Sequence, residues 1–224
     1  MKTKGLCFET ALSMRTEPAD LVLADTSRYG SDGAFKAAGH PDWVRLPSGL
    51  WALDFDSVVK DYIQIPADQT QLNFTSEDFS LVARIKIDDL TGNRQLFTRG
   101  LTNTDGWYSY VGLAGRVYVR TNQAAANQLS YTSEGAIVVG LWRTVGLSRS
   151  GASIRIYIDG VDDTEALGTH IDPLTCARSA KIGIEDNLSS SPFDGKIPFL
   201  QIYNYALSAG QHLKKHTELS RLVG

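Results

Sequence analysis

Hydrophobic and polar residues alternate along much of the chain. Residues 78–87 (DFSLVARIKI) place Phe79 and Leu81 on one face and Lys86 on the other. Residues 152–159 (ASIRIYID) repeat this alternation between two turn dipeptides, Ser-Gly and Asp-Gly. A period of two residues indicates a half-buried β-strand. The pattern therefore predicts strands in both segments.

Further strands are predicted where short runs rich in β-branched and aromatic residues lie between turn residues. They cover residues 6–12, 51–55, 61–65, 95–99, 107–113, 116–121, 137–147, 180–184 and 195–203. Ala114 and Gly115 separate two of these runs, which suits a tight hairpin. Roughly ten or more strands follow from this count.

The C-terminal tail is the segment with a helical pattern. Ser208 is a candidate N-cap, and the apolar residues up to Leu222 fall at helical spacings. His212 and His216 are four residues apart, which is the spacing of two metal ligands on one helix face. The run H-L-K-K-H has no glutamate after its first histidine, so we interpret these residues as a solvated helix face.

Many short strands and almost no helix predict an all-β protein of two packed antiparallel sheets. The 224 residues and the hydrophobic fraction of 42% are sufficient for one domain with its own core. No composition break or internal repeat divides the sequence. Cys7 and Cys176 have no metal-ligand spacing and are expected to be two buried thiols, with one long-range disulfide as the alternative.

The charge pattern and the N-terminal residues exclude some functions. The net charge is −3 and the basic residues are scattered, so we expect no nucleic-acid partner. Glu9 interrupts the apolar residues near the start, whereas a secretory signal needs about 7 to 15 in succession. No stretch approaches the roughly 18 apolar residues of a membrane span. Localisation therefore stays open, with a virion surface or a cell-surface assembly among the alternatives.

Three segments in the first third of the chain resemble the laminin G-like, concanavalin A-like family. Residues 25–33 (DTSRYGSDG) resemble its DxSGxGxxG loop. Residues 53–66 (LDFDSVVKDYIQIP) resemble its LxFDGxxDYVxIP segment, and residues 74–81 (FTSEDFSL) resemble the start of its long strand. The three matches occur in the order that the family has.

The resemblance continues to the end of the predicted strands. Residues 140–145 (GLWRTV) are similar to the family's GxWHHV, residues 154–160 (IRIYIDG) to VRIYVDG, and residues 193–208 to FDGxIDEVRIYNRALS. The resemblance implies a two-sheet antiparallel jelly-roll sandwich, concanavalin A-like, with a short C-terminal helix. It places a laminin G-like domain at residues 1–208 and a helical tail at 209–224. Trp142 would then be a core aromatic between the sheets.

The same fold carries glucanases and lyases, so catalysis has to be weighed. A retaining glucanase needs two carboxylates about 5 Å apart on one strand, in an E-x-D-x-x-E-like run. No such run is present, and Asp54 with Asp56 and Glu185 with Asp186 are interpreted as turn carboxylates. We therefore predict a protein that is not an enzyme.

Aromatic residues in the central third are the strongest indication of a ligand. Alternation places Tyr108 and Tyr110 on the strand face opposite Trp107, which we assign to the core. Lectin-like jelly rolls stack sugars on exposed aromatic rings. The predicted ligand-binding residues are Tyr108, Tyr110, Tyr118 and Asn122, with Asn122 in a polar loop.

Calcium is the one cofactor that the resemblance implies, with Asp25 and Asp194 as its candidate ligands. Ca²⁺ requires six to eight oxygen ligands. Arg28 replaces the first glycine of the loop, and Pro198 stands where the family has a second aspartate. We expect calcium binding to be weak or absent, and Pro198 predicts a bulge in the last strand.

Two functions remain open. The leading hypothesis is a non-enzymatic binding module that recognises a glycan or a protein surface. The alternative is a virion structural protein, such as a capsid decoration, fibre or tail component of a bacteriophage, whose partners include other virion proteins. A polysaccharide hydrolase or lyase is the third and weakest hypothesis.

Overall fold

The computed structural model describes residues 5–10, 22–36 and 40–223. Residues 11–12 of the predicted first strand lie outside the described residues. So do residues 1–4 of the predicted laminin G-like domain and residue 224 of the predicted helical tail. Within the described ranges the chain forms two antiparallel sheets packed face to face, with one C-terminal helix. The predicted sandwich is confirmed.

One sheet has eight strands, in the spatial order β14-β13-β12-β7-β17-β5-β4, with β1 also paired to β17. Numbered in chain order, these strands are β1 (Leu6–Glu9), β4 (Asp42–Arg45), β5 (Trp51–Phe55), β7 (Phe79–Ile87), β12 (Trp142–Ser150), β13 (Ser153–Ile158), β14 (Val161–Asp162) and β17 (Gly195–Tyr203).

The other sheet has nine strands, in the order β15-β11-β10-β9-β8-β16-β6-β3-β2. They are β2 (Val22–Leu23), β3 (Gly33–Phe35), β6 (Ile63–Ile65), β8 (Arg94–Leu101), β9 (Asp105–Val111), β10 (Val117–Gln123), β11 (Ala126–Thr132), β15 (Thr164–Ala166) and β16 (Ala180–Ile182). A short 3₁₀ helix at Thr70–Leu72 follows β6.

The core between the sheets is organised around Trp107, which is fully buried. Its ring lies 4.5 Å from that of Phe79 on the eight-stranded sheet and 4.9 Å from that of Phe97 on its own sheet. Phe74 stacks on Phe79 at 4.9 Å, and the indole N–H donates to the carbonyl of Leu72 at 3.3 Å. The assignment of Trp107 to the core is confirmed.

Helix α1 (Ala209–Leu222) lies on the outer face of the eight-stranded sheet. Ser208 caps it, as predicted, and forms a reciprocal capping box with Gln211. Leu219 packs into a small cluster with Val82 and Phe199 of the sheet. Over the described ranges, no helix combines the length and apolar character that crossing a membrane requires.

The prediction of a solvated histidine face is wrong. His212 is 2% exposed, its ring stacks on Tyr157 at 4.1 Å, and it hydrogen-bonds the hydroxyl of Ser148 at 2.8 Å. Gly146 makes this possible, because a side chain there would collide with the imidazole. His216 contacts the hydroxyl of Thr144 at 3.1 Å. The histidines therefore attach the helix to the sheet.

Trp142 is also placed differently from the expectation. Val145 and Leu147 of β12 point into the core, so alternation turns Trp142 to the outer face of the sheet. There it is partly exposed and packs against a cluster containing Ala52 and Val223. The inter-sheet aromatic is Trp107 instead.

Two strand predictions need correction and one is confirmed. Residues 137–141 form turns rather than the start of β12, because Gly140 adopts a left-handed φ of 80°. Residues 126–132, for which no strand is predicted, form β11. The pairing of β17 with β7 shifts register between Lys196 and Phe199, which is the bulge predicted from Pro198.

The buried histidines predict a pH-dependent stability. Burial lowers the pKa of His212, and likewise that of His170, from 6.5 to about 4. The unfolded chain therefore binds more protons between these values, and stability falls as the pH drops from about 6.5 to about 4. Each histidine contributes up to about 3 kcal/mol to this loss.

The variant His212→Gln retains a hydrogen-bonding side chain without the titration. We expect its melting temperature to fall less between pH 6.5 and pH 4 than that of the wild type. Thermal melts of both proteins across this range measure the difference. Parallel pH profiles would contradict the account.

Candidate functional site

Three tyrosines form a row across the outer face of the nine-stranded sheet. Tyr110 on β9, Tyr118 on β10 and Tyr131 on β11 are direct cross-strand neighbours. The rings of Tyr110 and Tyr118 are 4.8 Å apart and nearly parallel, and that of Tyr131 is 5.5 Å further on. All three are partly exposed. The tyrosine row therefore leaves part of each aromatic side chain accessible to solvent.

Arg120 lies beside the tyrosine row. Its guanidinium is 6.0 Å from the ring centre of Tyr108 and 5.9 Å from that of Tyr110, within cation–π range. One terminal nitrogen of Arg120 donates to the hydroxyl of Tyr110 at 3.5 Å, whereas its buried Nε has no hydrogen-bond partner. No carboxylate among the described residues forms an ion pair with it. The site therefore holds a cationic donor that is partly exposed and incompletely paired.

Two of the predicted ligand-binding residues are buried. Tyr108 is 4% exposed, and its hydroxyl is 2.5 Å from that of Thr102. Asn122 is fully buried within β10 rather than in a loop, and its amide donates to the carbonyl of Gly106 at 3.2 Å. The expectation that these two are exposed is wrong. Tyr110 and Tyr118 are partly exposed, and their binding role stays a prediction.

The segment of residues 183–192 covers part of the same face beside Tyr108. Its Asp186 forms ion pairs with Lys181 at 2.5 Å and Arg178 at 2.7 Å. Burial raises the pKa of Glu185. Together with Tyr108 these carboxylates line a cavity of about 20 Å³, enough for one water molecule.

Arg120 and Tyr131 complete the site but were not among the predicted residues. A signal for Arg120 was present, because a strand with Tyr118 facing outward also presents residue 120 outward. Predicting Tyr131 as a site residue required recognising β11 as a strand, and its sequence ANQLSYT resembles a polar loop. Burial also raises the pKa of Tyr110 above its ordinary value of 10.0.

The candidate calcium ligands do not fit a cation. Both carboxylate oxygens of Asp25 accept hydrogen bonds, one from the amides of Glu9 and Ser27 and the other from the amide of Ser31 and the hydroxyl of Ser27. Asp194 accepts from the hydroxyl of Ser57, and the described residues give it no partner in common with Asp25. The loop carboxylate thus organises a turn through N–H donors that a metal ion would have to displace.

A family model described as the concanavalin A-like lectin/glucanases superfamily, of the laminin G type, matches residues 56–211. The chain therefore belongs to this superfamily. Among the curated proteins, none matches the sequence.

Several solved structures share the fold. The binding domain of Paraclostridial Mosquitocidal Protein 1 is 13% identical with a TM-score of 0.72, over 96% of this chain and 52% of that one. The binding domain of botulinum neurotoxin DC in complex with SialylT is 14% identical with a TM-score of 0.66, over 96% and 51%. The present chain spans about half the length of these toxin binding domains.

A third structure matches along nearly its whole length. Domain 4 of AbnA, a GH43 extracellular arabinanase from Geobacillus stearothermophilus in complex with arabinotriose, is 17% identical with a TM-score of 0.61. The match covers 95% of this chain and 98% of that domain. At these identities the three similarities establish a shared fold.

The hydrogen bonding of Asp25 predicts that calcium will not stabilise the protein. Melting curves in millimolar calcium and in chelator should coincide, because both oxygens of Asp25 already face hydrogen-bond donors. A calcium-dependent rise of several degrees would contradict the prediction, and loss of that rise in Asp25→Asn would locate the ion.

Proposed function

We propose that the chain is a non-catalytic glycan-binding module whose ligand binds on the outer face of the nine-stranded sheet. The tyrosine row and Arg120 form the binding surface. Sugars combine apolar C–H faces with a dense set of hydroxyl groups. A surface that recognises them therefore needs aromatic groups and hydrogen-bond donors side by side.

The observation that carries the proposal is the incompletely paired Arg120 beside three partly exposed tyrosines. A structural guanidinium is normally satisfied by a carboxylate or by several carbonyls. Arg149 illustrates this, because its guanidinium bonds the carbonyls of Thr75 and Glu77 and the carboxylate of Asp172. Within the described residues the guanidinium of Arg120 has, by contrast, one long hydrogen bond, to the hydroxyl of Tyr110 at 3.5 Å. Its Nε is buried, so its terminal nitrogens are the donors that a hydroxylated ligand would use.

The comparisons support the same class of ligand. The family includes lectins, and two of the structures that share the fold are complexes with SialylT and with arabinotriose. The identities of 14% and 17% carry neither sugar over to this chain. We therefore propose a glycan without naming its monosaccharide.

The geometry favours binding over turnover. Glu185, whose pKa burial raises, and the ion-paired Asp186 form a carboxylate pair beside Tyr108. Glycosidases also place their two carboxyl groups in different environments. The cavity that these groups line holds about 20 Å³, which excludes a sugar ring.

A protein ligand and a virion role remain the alternatives. The tyrosine row also suits a protein surface, because tyrosine is enriched in protein interfaces. The jelly roll itself gives no preference for a virion component, since one fold hosts many functions. Glycan-array screening of the purified chain separates the glycan from the protein alternative.

Removal of a ring from the tyrosine row should weaken glycan binding without unfolding the protein. For an oligosaccharide selected on the array, Tyr110→Ala and Tyr118→Ala should each cost about 1 to 2 kcal/mol of binding free energy. Arg120→Gln should also weaken binding. Isothermal titration calorimetry measures these changes.

Tyr205→Ala is the matched control, because Tyr205 is a partly exposed tyrosine outside the nine-stranded sheet. Its affinity should equal that of the wild type. Trp107→Ala should instead lose about 3 to 5 kcal/mol of unfolding free energy. Unchanged affinity in both tyrosine-row variants would refute the proposed surface.

Assays on β-glucans, arabinans and alginate should show no turnover, because the carboxylate pair beside Tyr108 is closed to a sugar ring. Glu134 and Glu165, which lie near Tyr131, are both ion-paired with Arg116. Reducing-end and unsaturated-product measurements test this. Product above a heat-inactivated control that disappears in Glu185→Gln would contradict the non-catalytic assignment.

A further inference from the structure

One end of the sandwich combines an acidic cavity with exposed apolar side chains. Antiparallel pairing places Phe55, Ile87 and Gly195 beside one another at this end. We call it the β5–β6 rim. It is formed by the connections at residues 56–62, 88–93, 112–116, 133–141 and 183–194.

The acidic cavity has a volume of about 290 Å³. Its charged lining residues are Asp42, Asp54, Asp56, Asp61, Asp88, Asp194 and Lys196. Six carboxylates and one ammonium group leave it strongly negative. Asp42 and Asp54 are also direct cross-strand neighbours, an arrangement of like charges that destabilises a sheet.

Lys196 neutralises only part of this charge. Its ammonium group lies 2.9 Å from Asp54 and 3.0 Å from Asp88. Asp194 accepts from the hydroxyl of Ser57, and Asp56 accepts from the amide of Val58. These donors are neutral, so they stabilise the carboxylates without balancing them.

Asp61 is the buried carboxylate among the six. It is 4% exposed, and its Oδ2 accepts from the amide of Asp56 at 2.8 Å. Its Oδ1 is buried and has no hydrogen-bond partner within the described part of the chain. Burial raises the pKa of Asp61, and the carboxylates of Asp56 and Asp42 add to the rise, whereas the hydrogen bond from the Asp56 amide and the nearby His40 oppose it. A buried carboxylate without a cation is costly unless a ligand supplies one.

Apolar side chains are concentrated on the same rim. Of the fourteen large hydrophobic residues that are exposed in the described chain, half lie on its connections. They are Val58, Val59, Leu113, Val138, Val139, Leu141 and Leu188. Val58 alone is 85% exposed. Apolar residues grouped in this way mark interaction sites more often than scattered ones do.

We propose that the β5–β6 rim binds a protein segment in which an arginine or lysine, flanked by apolar residues, places its cationic group in the acidic cavity. The flanking residues pack on the exposed valines and leucines. The charge of the cavity selects a basic partner and repels an anionic membrane surface. This interaction is independent of the proposed glycan surface.

The arrangement fits an organic cation better than a bound metal ion. No group of three or more acidic, histidine or cysteine side chains within the described residues is arranged to hold a metal. The carboxylates instead line the walls of a space that accepts a guanidinium or ammonium group with its waters. Such a group binds through several separate hydrogen bonds.

The test uses the peptide acetyl-Val-Leu-Arg-Leu-Val-amide and the ¹⁵N-labelled full chain. Titration followed by NMR should shift amide signals of the β5–β6 rim, saturating at peptide concentrations up to about 5 mM. The matched peptide has citrulline in place of arginine, which keeps the shape and removes the charge. It should bind at least about tenfold more weakly.

Substitutions then locate the cation. Asp61→Asn should weaken binding of the arginine peptide at least about tenfold while melting no lower than the wild type, because it removes an uncompensated buried charge. Asp42→Asn, at an exposed position of the cavity wall, is the second variant should Asp61→Asn misfold. Asp68→Asn, exposed outside this rim, should bind as the wild type does.

Three results would each overturn the proposal. The first is no shift at the rim up to the highest peptide concentration. The second is equal binding of the arginine and citrulline peptides, or no effect of either cavity variant. The third is peptide binding that requires calcium and disappears in chelator, which would make the cavity a metal site.

Discussion

Trp107 packs between the two sheets, and this contact determines which residues the nine-stranded sheet presents to solvent. Its ring touches Phe79 from the opposing sheet and Phe97 from its own sheet. A strand that slipped by one residue would exchange its inner and outer faces. With Trp107 held in the core, Tyr110 must point outward, and cross-strand pairing then sets Tyr118 beside it. The proposed binding surface therefore follows from the packing of the core.

The two proposed surfaces share one physical feature, a charged group that the fold leaves incompletely paired. Arg120 has a buried nitrogen without a partner, and Asp61 has a buried oxygen without one. Each such group lowers stability in the isolated chain. The aromatic core and the helix docked through His212 provide the stability that tolerates them. Local departures of this kind from full pairing are expected at functional sites.

Alternation and family motifs were sufficient to predict the sandwich, the terminal helix and its cap at Ser208. They were also sufficient to assign Trp107 to the core face and the tyrosines of the same strand to the opposite face, because successive side chains of a strand alternate between its faces. They failed where a second layer covers a sheet. On the nine-stranded sheet, Tyr108 is buried beside residues 183–192. His212 and Trp142 lie on the outer face of the eight-stranded sheet, where α1 and its C-terminal end pack. No periodicity within a single strand reports which of its faces a distant segment covers.

The most direct test of the account is a crystal structure of the chain with the oligosaccharide that binds it most tightly on a glycan array. The account predicts sugar density over Tyr110, Tyr118 and Tyr131, with a hydroxyl oxygen within hydrogen-bond distance, about 2.7 to 3.2 Å, of the Arg120 guanidinium. Sugar bound at the β5–β6 rim or on the eight-stranded sheet, with the tyrosine row free, would contradict it.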